Sequence, residues 1–307
     1  MAVEVVRAGA GLLALVIGAL LVTACGSAQA SPEHVTVIAT TPILGDIAGQ
    51  VARCAGGTSA TLMPNGVDPH DFSPSARQIA QLEDADLVVA NGLGLESGMA
   101  RALASARADG ADVLEIGPLV QPIPLAGSTA PDPHIWFSLP RMATAATLIG
   151  SALAQRTGDD AYATCGTQVA DTITAAHADV AAALSSVPEG RRILVTDHDA
   201  LGYLAAEYGY RIAGSVVPSS TTLAEPSSAD IAALADEVRH LGVSAIFANT
   251  ALPDALAQAV AAEAGRDVRV VPLAVETLGP PGSSTGTYLG MVTADARAIA
   301  GALGGTP

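Results

Sequence analysis

The segment VTVIATTPILGDIAGQVAR, residues 35–53, contains the repeating unit that decides the fold. Its first five residues, Val35–Ala39, form an apolar run that predicts a buried strand, and Ile43–Arg53 has the apolar spacing of a helix. Similar strand and helix patterns alternate through most of the chain. The order β-α-β-α predicts parallel sheets that are covered by helices on both faces, and therefore an α/β fold.

The alternation is interrupted once, which divides the chain into two lobes. A proline-rich loop at Pro118–Pro133 is followed by helical periodicity that runs without interruption from 160 to 184. The roughly 280 residues after the N-terminal segment also exceed what one hydrophobic core usually supports. We therefore predict an N-terminal α/β lobe over 34–158, a long rigid linking helix over 159–187 and a C-terminal α/β lobe over 188–307.

The composition limits the classes of ligand. Half of the chain is apolar, the net charge is −16, and all 14 basic residues are arginine. A protein that binds nucleic acid needs a basic patch to neutralise phosphates, and this balance argues against one. An acidic surface is compatible with a cation as the ligand.

The N-terminal segment indicates export. The apolar run Leu12–Val22 is too short to cross a bilayer comfortably and has the length of the apolar part of a secretion signal. The sequence Leu-Val-Thr-Ala-Cys at 21–25 resembles the lipobox of bacterial lipoproteins. It predicts a signal peptide over 1–24, lipidation of Cys25, a flexible tether over 25–33, and a protein anchored at the extracytoplasmic face of the cell membrane. The alternative is an ordinary signal peptide in which the cysteine occurs by chance.

Two further cysteines, Cys54 and Cys165, remain in this oxidising compartment, where a pair usually forms a disulfide. The bond would close a loop of 165 − 54 = 111 residues. The chain-entropy model assigns about 4–5 kcal/mol of stabilisation to a loop of this length. The alternative is two buried free thiols.

Four side chains that can bind metals follow predicted strands or the proline-rich loop. They are His70, His134, His198 and Glu276, two in each predicted lobe. Ligands of open α/β sheets bind outside the carboxyl ends of the strands, so these four could meet in the cleft between the lobes. Three imidazoles and one carboxylate suit zinc. Taken singly, a histidine at a strand end is more often a surface residue than a ligand, so spacing alone leaves both readings open.

An ordered set of motifs resembles one family, the cluster A-I solute-binding proteins of zinc and manganese ABC importers. The resemblance runs from about His34 to Leu303. Its segments are Thr41-Pro42-Ile43-Leu44-Gly45-Asp46-Ile47-Ala48, Asp68-Pro69-His70-Asp71-Phe72-Ser73-Pro74-Ser75, Asp132-Pro133-His134-Ile135-Trp136, His198-Asp199-Ala200-Leu201-Gly202-Tyr203, Glu225-Pro226-Ser227 and Thr287-Tyr288-Leu289-Gly290-Met291.

The resemblance implies two α/β lobes bridged by a rigid helix, with the metal ion between them. It implies His70 and His134 as the first two ligands. The third ligand is histidine in zinc proteins and usually glutamate in manganese proteins, so His198 favours Zn²⁺ over Mn²⁺. The fourth is normally an aspartate in a Val-Asp-Ser-Leu type segment. This chain has Val275-Glu276-Thr277-Leu278 instead, so either Glu276 or a water is expected there.

The resemblance also implies the partner, an ABC permease on the same membrane, and we expect the binding protein to be a monomer. Four aspartates flank the candidate ligands: Asp68, Asp71, Asp197 and Asp199. They are expected either to orient the second ring nitrogens of the histidines or only to cap helices.

Two other classes of function, a hydrolase and a surface adhesin, are alternatives for a chain with these residues. Three histidines around an open zinc position can activate water, as hydrolases do, but no His-Glu-x-x-His or Gly-x-Ser-x-Gly segment occurs. The ligands are also spread over both halves of the chain, which suits a clamp better than a hydrolase, so we predict no enzyme activity. A surface adhesin in which metal binding is incidental remains an alternative.

Overall fold

The structure of this chain is a computed structural model that describes residues 37–217, 219, 221–265 and 267–306. The predicted signal peptide, the tether and the lipidation site Cys25 therefore lie outside the described residues. Among the residues that are described, no helix is both long and apolar enough to cross a membrane.

The first half of the chain forms a four-stranded parallel sheet. In chain order it contains β1 (Val37–Ala39), α1 (Pro42–Cys54), β2 (Ser59–Thr61), α2 (Ala76–Glu83), β3 (Leu87–Ala90), α3 (Ala100–Ala108) and β4 (Val113–Glu115). The strands are hydrogen-bonded in the order β2-β1-β3-β4. β1 and β3 are fully buried and consist of Val, Ile, Leu and Ala, as expected for parallel strands that are covered on both faces.

Two long helices follow, α4 (Leu139–Thr157) and α5 (Ala161–Ser185). They pack so closely that a methyl group on Gly150 of α4 would lie 2.6 Å from the carbonyl oxygen of Tyr162 and 2.7 Å from Cα of Gly166. Glycine at both positions therefore allows the two backbones to touch. Helix α5 also contacts α1 of the first half and continues to the second half of the chain.

The second half repeats the architecture of the first. It contains β5 (Ile193–Thr196), α6 (Gly202–Tyr208), β6 (Arg211–Ser215), α7 (Ser228–Leu241), β7 (Ala245–Asn249), α8 (Ala255–Ala264), β8 (Arg269–Leu273) and α9 (Tyr288–Ala302). Its sheet is again parallel, with the order β6-β5-β7-β8. The predicted fold class, two parallel-sheet α/β lobes with a helical linker, is confirmed.

Several helices begin at side chains that accept backbone hydrogen bonds. Thr41 caps α1 by accepting from the N–H of Leu44, and Ser75 and Ser227 each form a capping box at the start of α2 and α7. These caps fix the points at which the chain leaves the strand edges and enters the helices.

The two lobes share one hydrophobic core. It contains one face of each sheet and the apolar sides of α1, α4, α5 and α9, with residues as far apart as Val37 and Leu303. A smaller core under α2 and α3 covers the other face of the first sheet, and another under α7 and α8 covers that of the second. Separating the lobes would therefore expose apolar surface.

A disulfide joins Cys54, the last residue of α1, to Cys165 in α5, with 5.8 Å between the two Cα atoms. The predicted pairing is therefore present, and the alternative of two free thiols is wrong. The bond ties the first lobe directly to the long helix α5.

Candidate metal centre

The loops after the strands bring four donor side chains together. His70 lies in the loop between β2 and α2, His134 in the loop before α4, His198 directly after β5, and Glu276 in the loop after β8. All four are buried, with His70 the most exposed at 3%. Their donor atoms all lie within 4.8 Å of one another. Residues separated by more than 200 positions thus meet in the cleft between the two sheets.

The three imidazoles point at one carboxylate oxygen. Oε1 of Glu276 lies 2.7 Å from Nε2 of His70, 3.1 Å from Nε2 of His198 and 3.5 Å from Nε2 of His134. Nε2 of His134 is buried and has no hydrogen-bond partner among the described residues. A buried polar atom without a partner is costly, and a bound cation would supply one. The donor set therefore fits a divalent ion that accepts nitrogen and oxygen ligands.

Two aspartates hold the rings of His134 and His198 through Nδ1, the nitrogen that does not face Glu276. Oδ1 of Asp132 lies 2.7 Å from Nδ1 of His134, and Oδ1 of Asp197 lies 2.9 Å from Nδ1 of His198. When a carboxylate accepts a hydrogen bond from Nδ1–H, it sets the orientation of the ring. Nε2 is then the nitrogen that can bind a metal ion. Asp197 is one of the four flanking aspartates of the sequence analysis. Asp132 is not among them, although its position two residues before His134 was a usable signal.

The other flanking aspartates have different surroundings. Oδ1 of Asp68 accepts from the backbone N–H of His70 at 2.9 Å, and its Oδ2 accepts from the hydroxyl of Thr222. Asp71 is exposed. Asp199 is half-buried, and burial, followed by the charge of Asp132, raises its pKa. None of the hydrogen bonds of the described chain joins Asp68, Asp71 or Asp199 to an imidazole ring.

Glu276 lies three residues beyond β8 rather than directly after a strand. The strand ends at Leu273 because the backbone groups that follow form their hydrogen bonds outside the sheet. The N–H of Ala274 donates to Oδ1 of Asp295, and the carbonyl of Val275 accepts from Nε1 of Trp136 at 2.6 Å. The Trp136 bond also connects the loop of Glu276 to the loop of His134.

The loop between β3 and α3 supports both histidines of the first lobe. Ser97 Oγ donates to the carbonyl of His70 at 2.9 Å, and Nδ2 of Asn91 donates to the carbonyl of Pro133 at 2.9 Å. The loop itself is organised by the buried carboxylate of Glu96, which accepts from the hydroxyl of Thr40 and from the N–H groups of Asn91 and Gly92. No local sequence pattern marks Glu96 as part of the site, since it is far from any histidine in sequence.

Hydrogen bonds between the lobes surround the centre. The amide of Asn65 donates to the carbonyl of Gly279, and the N–H of Gly66 donates to Oγ1 of Thr277. The hydroxyl of Tyr288, which is fully buried, donates to the carbonyl of Trp136. These contacts join the two lobes beside the four buried donors.

The charges of the centre are coupled. Burial lowers the pKa of His198, but the negative charge of Glu276 and the bonds to Asp197 and Glu276 outweigh it and raise the pKa to about 10. Burial raises the pKa of Glu276, but the positive charge of His198 and the close contacts with the three histidines hold it well below its usual range. Without an ion, Glu276 is therefore a carboxylate and His198 an imidazolium at neutral pH.

Comparison with known proteins places this geometry in a family. The family model described as zinc-uptake complex component A, periplasmic, matches residues 37–302. The chain is 32% identical over 295 residues to the zinc-binding protein TroA of Treponema pallidum, covering 91% of this chain and 92% of that protein. It is 29% identical over 308 residues to the manganese-binding lipoprotein MntA of Bacillus subtilis, covering 95% and 99%.

A solved structure of one of these relatives has the same fold. The periplasmic zinc-binding protein TroA of T. pallidum superposes with a TM-score of 0.81 at 27% identity, covering 87% of this chain and 98% of that one. The family model spans both lobes and all four donors. The chain therefore belongs to the family of the zinc-uptake complex component A, the metal-binding solute-binding proteins of ABC importers.

Proposed function

We propose that this chain captures Zn²⁺ through His70, His134, His198 and Glu276 and delivers it to an ABC permease at the outer face of the membrane. The single observation that carries the proposal is the convergence of three Nε2 atoms on Oε1 of Glu276 in a buried cleft. Members of this family are solute-binding proteins and not enzymes, so the bound ion is cargo.

The donor set favours zinc over manganese. Zinc is held in proteins by four nitrogen, sulfur or oxygen donors, whereas Mn²⁺ suits carboxylate, carbonyl and water oxygens. Three of the four donors here are imidazoles, and only one is a carboxylate. The relative TroA is named as a zinc-binding protein, which agrees with this preference.

Manganese is the second candidate, because the relative MntA is named as a manganese-binding lipoprotein. Elemental analysis of the purified protein, followed by competition between Zn²⁺ and Mn²⁺, separates the two. We expect the purified protein to retain one zinc ion per chain. Neither an equal amount nor a large excess of Mn²⁺ should displace it. Displacement of zinc by an equal amount of Mn²⁺ would favour the manganese assignment.

Single substitutions test the ligands. His70→Ala, His134→Ala and His198→Ala should each weaken Zn²⁺ binding by more than about a hundredfold, since even the outer partners of ligands are worth about 10–100-fold. His240→Ala is the matched control, because His240 is exposed at the end of α7, outside the cluster. Glu276→Gln distinguishes a bound carboxylate from a water: an unchanged affinity would assign the fourth position to water.

A double variant, His70→Ala with His198→Ala, separates transport from the adhesin alternative. A binding protein for import loses metal retention and growth under zinc limitation. An adhesin keeps its partner. Retained growth on limiting zinc, with the permease intact, would contradict the proposal.

We also propose that the chain is a monomer held at the membrane by a lipid on Cys25. The name of the relative MntA, a lipoprotein, supports the anchor. Metabolic labelling with a fatty-acid analogue should mark the wild type but not Cys25→Ala, which should be released from the membrane fraction. Labelling that survives the substitution would place the lipid elsewhere.

A further inference from the structure

The residue Asn249, the last residue of β7, contacts the carboxylate of Glu276 from outside the donor cluster. Its Nδ2 donates to Oε2 of Glu276 at 2.6 Å. The side chain is 2% exposed, so water does not compete for this bond.

The orientation of the Asn249 amide is fixed by its other contact. Oδ1 accepts from the backbone N–H of Ala251 at 3.0 Å. A flipped amide would place two donors against each other there, and would place an oxygen against the carboxylate of Glu276. Both neighbours therefore require Nδ2 to face Glu276.

Asn249 also belongs to the support of the third histidine. Its backbone N–H donates to Oδ2 of Asp197 at 2.6 Å, while Oδ1 of Asp197 holds Nδ1 of His198. The end of β7 thus positions two donors of the second lobe, one through Asp197 and one through its own amide.

Because of the bond from Asn249, the two carboxylate oxygens of Glu276 have different partners. Oε1 faces the three Nε2 atoms, at 2.7, 3.1 and 3.5 Å, and Oε2 is held by Asn249. Turning the carboxylate so that both oxygens face the histidines would break the Asn249 bond and leave a buried N–H without a partner, which is unfavourable.

We infer that Asn249 is a specificity-determining residue that restricts Glu276 to one donor oxygen and thereby favours Zn²⁺ over Mn²⁺. The inference rests on the proposed function of the four donors. A single oxygen and three imidazoles make four donors, the number that zinc accepts in a tetrahedron. Mn²⁺ suits sites with more oxygen ligands, and a carboxylate that binds through both oxygens would supply one more.

Two substitutions at this position test the inference. Asn249→Ala removes the donor to Oε2. Asn249→Ser also removes the amide donor, but its hydroxyl can still accept from the N–H of Ala251 and so preserve the turn. Thermal unfolding of the metal-free proteins shows which variants are folded, and Asn249→Ser decides the question if Asn249→Ala does not fold.

Gln50→Ala is the matched control. Nε2 of Gln50, in α1, donates to Oδ2 of Asp46 at 3.0 Å, and neither residue belongs to the donor cluster. Losing it removes an amide donor to a carboxylate without releasing an oxygen of Glu276.

Two readouts are measured on purified protein: the ratio of the Mn²⁺ and Zn²⁺ dissociation constants, by competition with a chelating dye, and the visible absorption of bound Co²⁺. In the Asn249 variants we expect the ratio to fall at least tenfold in favour of Mn²⁺, and the intense Co²⁺ bands of a four-coordinate site to weaken. In Gln50→Ala we expect the wild-type ratio and the wild-type band intensities. An unchanged ratio and spectrum in both Asn249 variants, or an equal loss of affinity for both ions, would overturn the inference and leave Asn249 as a structural residue.

The outcome is separable from that of the proposed function. If the wild type prefers Mn²⁺, the zinc assignment fails. The inference about Asn249 is judged separately, by whether the ratio moves between the wild type and its variants.

Discussion

Each histidine of the centre is positioned by an acidic residue one or two places before it. In both Asp-Pro-His segments, the aspartate accepts from the backbone N–H of its histidine at 2.9 Å, at Asp68–His70 and at Asp132–His134. Asp132 additionally holds the imidazole ring, and Asp197 does the same for its neighbour His198. An aspartate that accepts from the backbone N–H of a close neighbour needs only two or three adjacent residues. A short sequence motif can therefore indicate this contact.

The raised pKa of His198 makes metal binding dependent on pH. An ion can coordinate Nε2 only after the imidazolium has lost its proton, and the pKa of this group is about 10 in the metal-free protein. Below that value, each unit of pH should raise the apparent affinity about tenfold for this one proton. Burial lowers the pKa of His134, but its bond to Asp132 and the nearby carboxylate of Glu276 outweigh burial and raise it, which makes the dependence steeper.

Competition titrations with a chelator of known protonation at pH 6, 7 and 8 check this prediction. Calorimetry in buffers of different ionisation enthalpy should show protons released on binding. An affinity that stays constant from pH 6 to pH 8 would mean that His198 is already neutral before the ion arrives.

At the scale of elements, the loop from Asn91 to Ser97 acts as the support of the first lobe's donors. Glu96 is buried, and burial raises its pKa against the opposing hydrogen bonds from Thr40, Asn91 and Gly92. The loop also contains Leu93 with φ at 56°, a left-handed conformation that non-glycine residues rarely adopt. The bonds from the N–H groups of Asn91 and Gly92 to Glu96 hold the backbone next to Leu93 in place.

We predict that Glu96→Ala weakens both folding and metal binding. Three donors lose their acceptor, and each unsatisfied buried group costs about 1–3 kcal/mol. The carbonyls of His70 and Pro133 then lose their fixed support, so Zn²⁺ affinity should fall at least tenfold. Glu96→Gln retains one acceptor oxygen and should recover part of both losses. Denaturant unfolding and Zn²⁺ titration measure the two effects, and wild-type values for Glu96→Ala would refute the prediction.

The disulfide between α1 and α5 should stabilise the fold without affecting the metal centre. It closes a loop of 111 residues, for which the chain-entropy model gives about 4–5 kcal/mol. We expect Cys54→Ser with Cys165→Ser to lower the free energy of unfolding by up to this amount, measured in denaturant. The reduced wild type serves as the control, because it should match the double variant. Equal stability of the oxidised and reduced wild type would contradict the prediction.

The sequence predicted the elements better than their contacts. Local signals such as the apolar strand Val35–Ala39 and the helical spacing of Ile43–Arg53 are contained in a few adjacent residues, so the sequence shows them. The close packing of α4 on α5 depends on Gly150 meeting Gly166, and periodicity does not show which helix faces which. Asn249 was missed for the same reason: an asparagine at the end of a strand has no local mark of its contact with Glu276, 27 residues away.

At the scale of the whole molecule, the shared core limits how far the lobes can separate. One continuous apolar cluster includes both sheets and the helices between them. Burial of apolar surface stabilises by about 25 cal/mol per Å², so a wide opening would be expensive. Release of the ion should therefore depend on local movement of the ligand loops.

Small-angle X-ray scattering with and without Zn²⁺ checks this expectation. We predict no change in the radius of gyration beyond the error of the measurement. A hinge that closes on the ion would instead give a clear compaction when metal is added. The His198→Ala variant at the same zinc concentration controls for non-specific effects of the ion on the protein.

The burial of all four donors separates how tightly an ion is held from how fast it leaves. Because the four donors are buried, a competing chelator in solution cannot reach the bound ion until contacts between the lobes, such as Gly66 with Thr277, open. The rate of exchange should then reach a plateau that further chelator does not raise. At that plateau, the half-life of the bound ion depends only on how fast the cleft opens. A permease that separates these contacts would speed release of the ion without changing the affinity of the isolated protein.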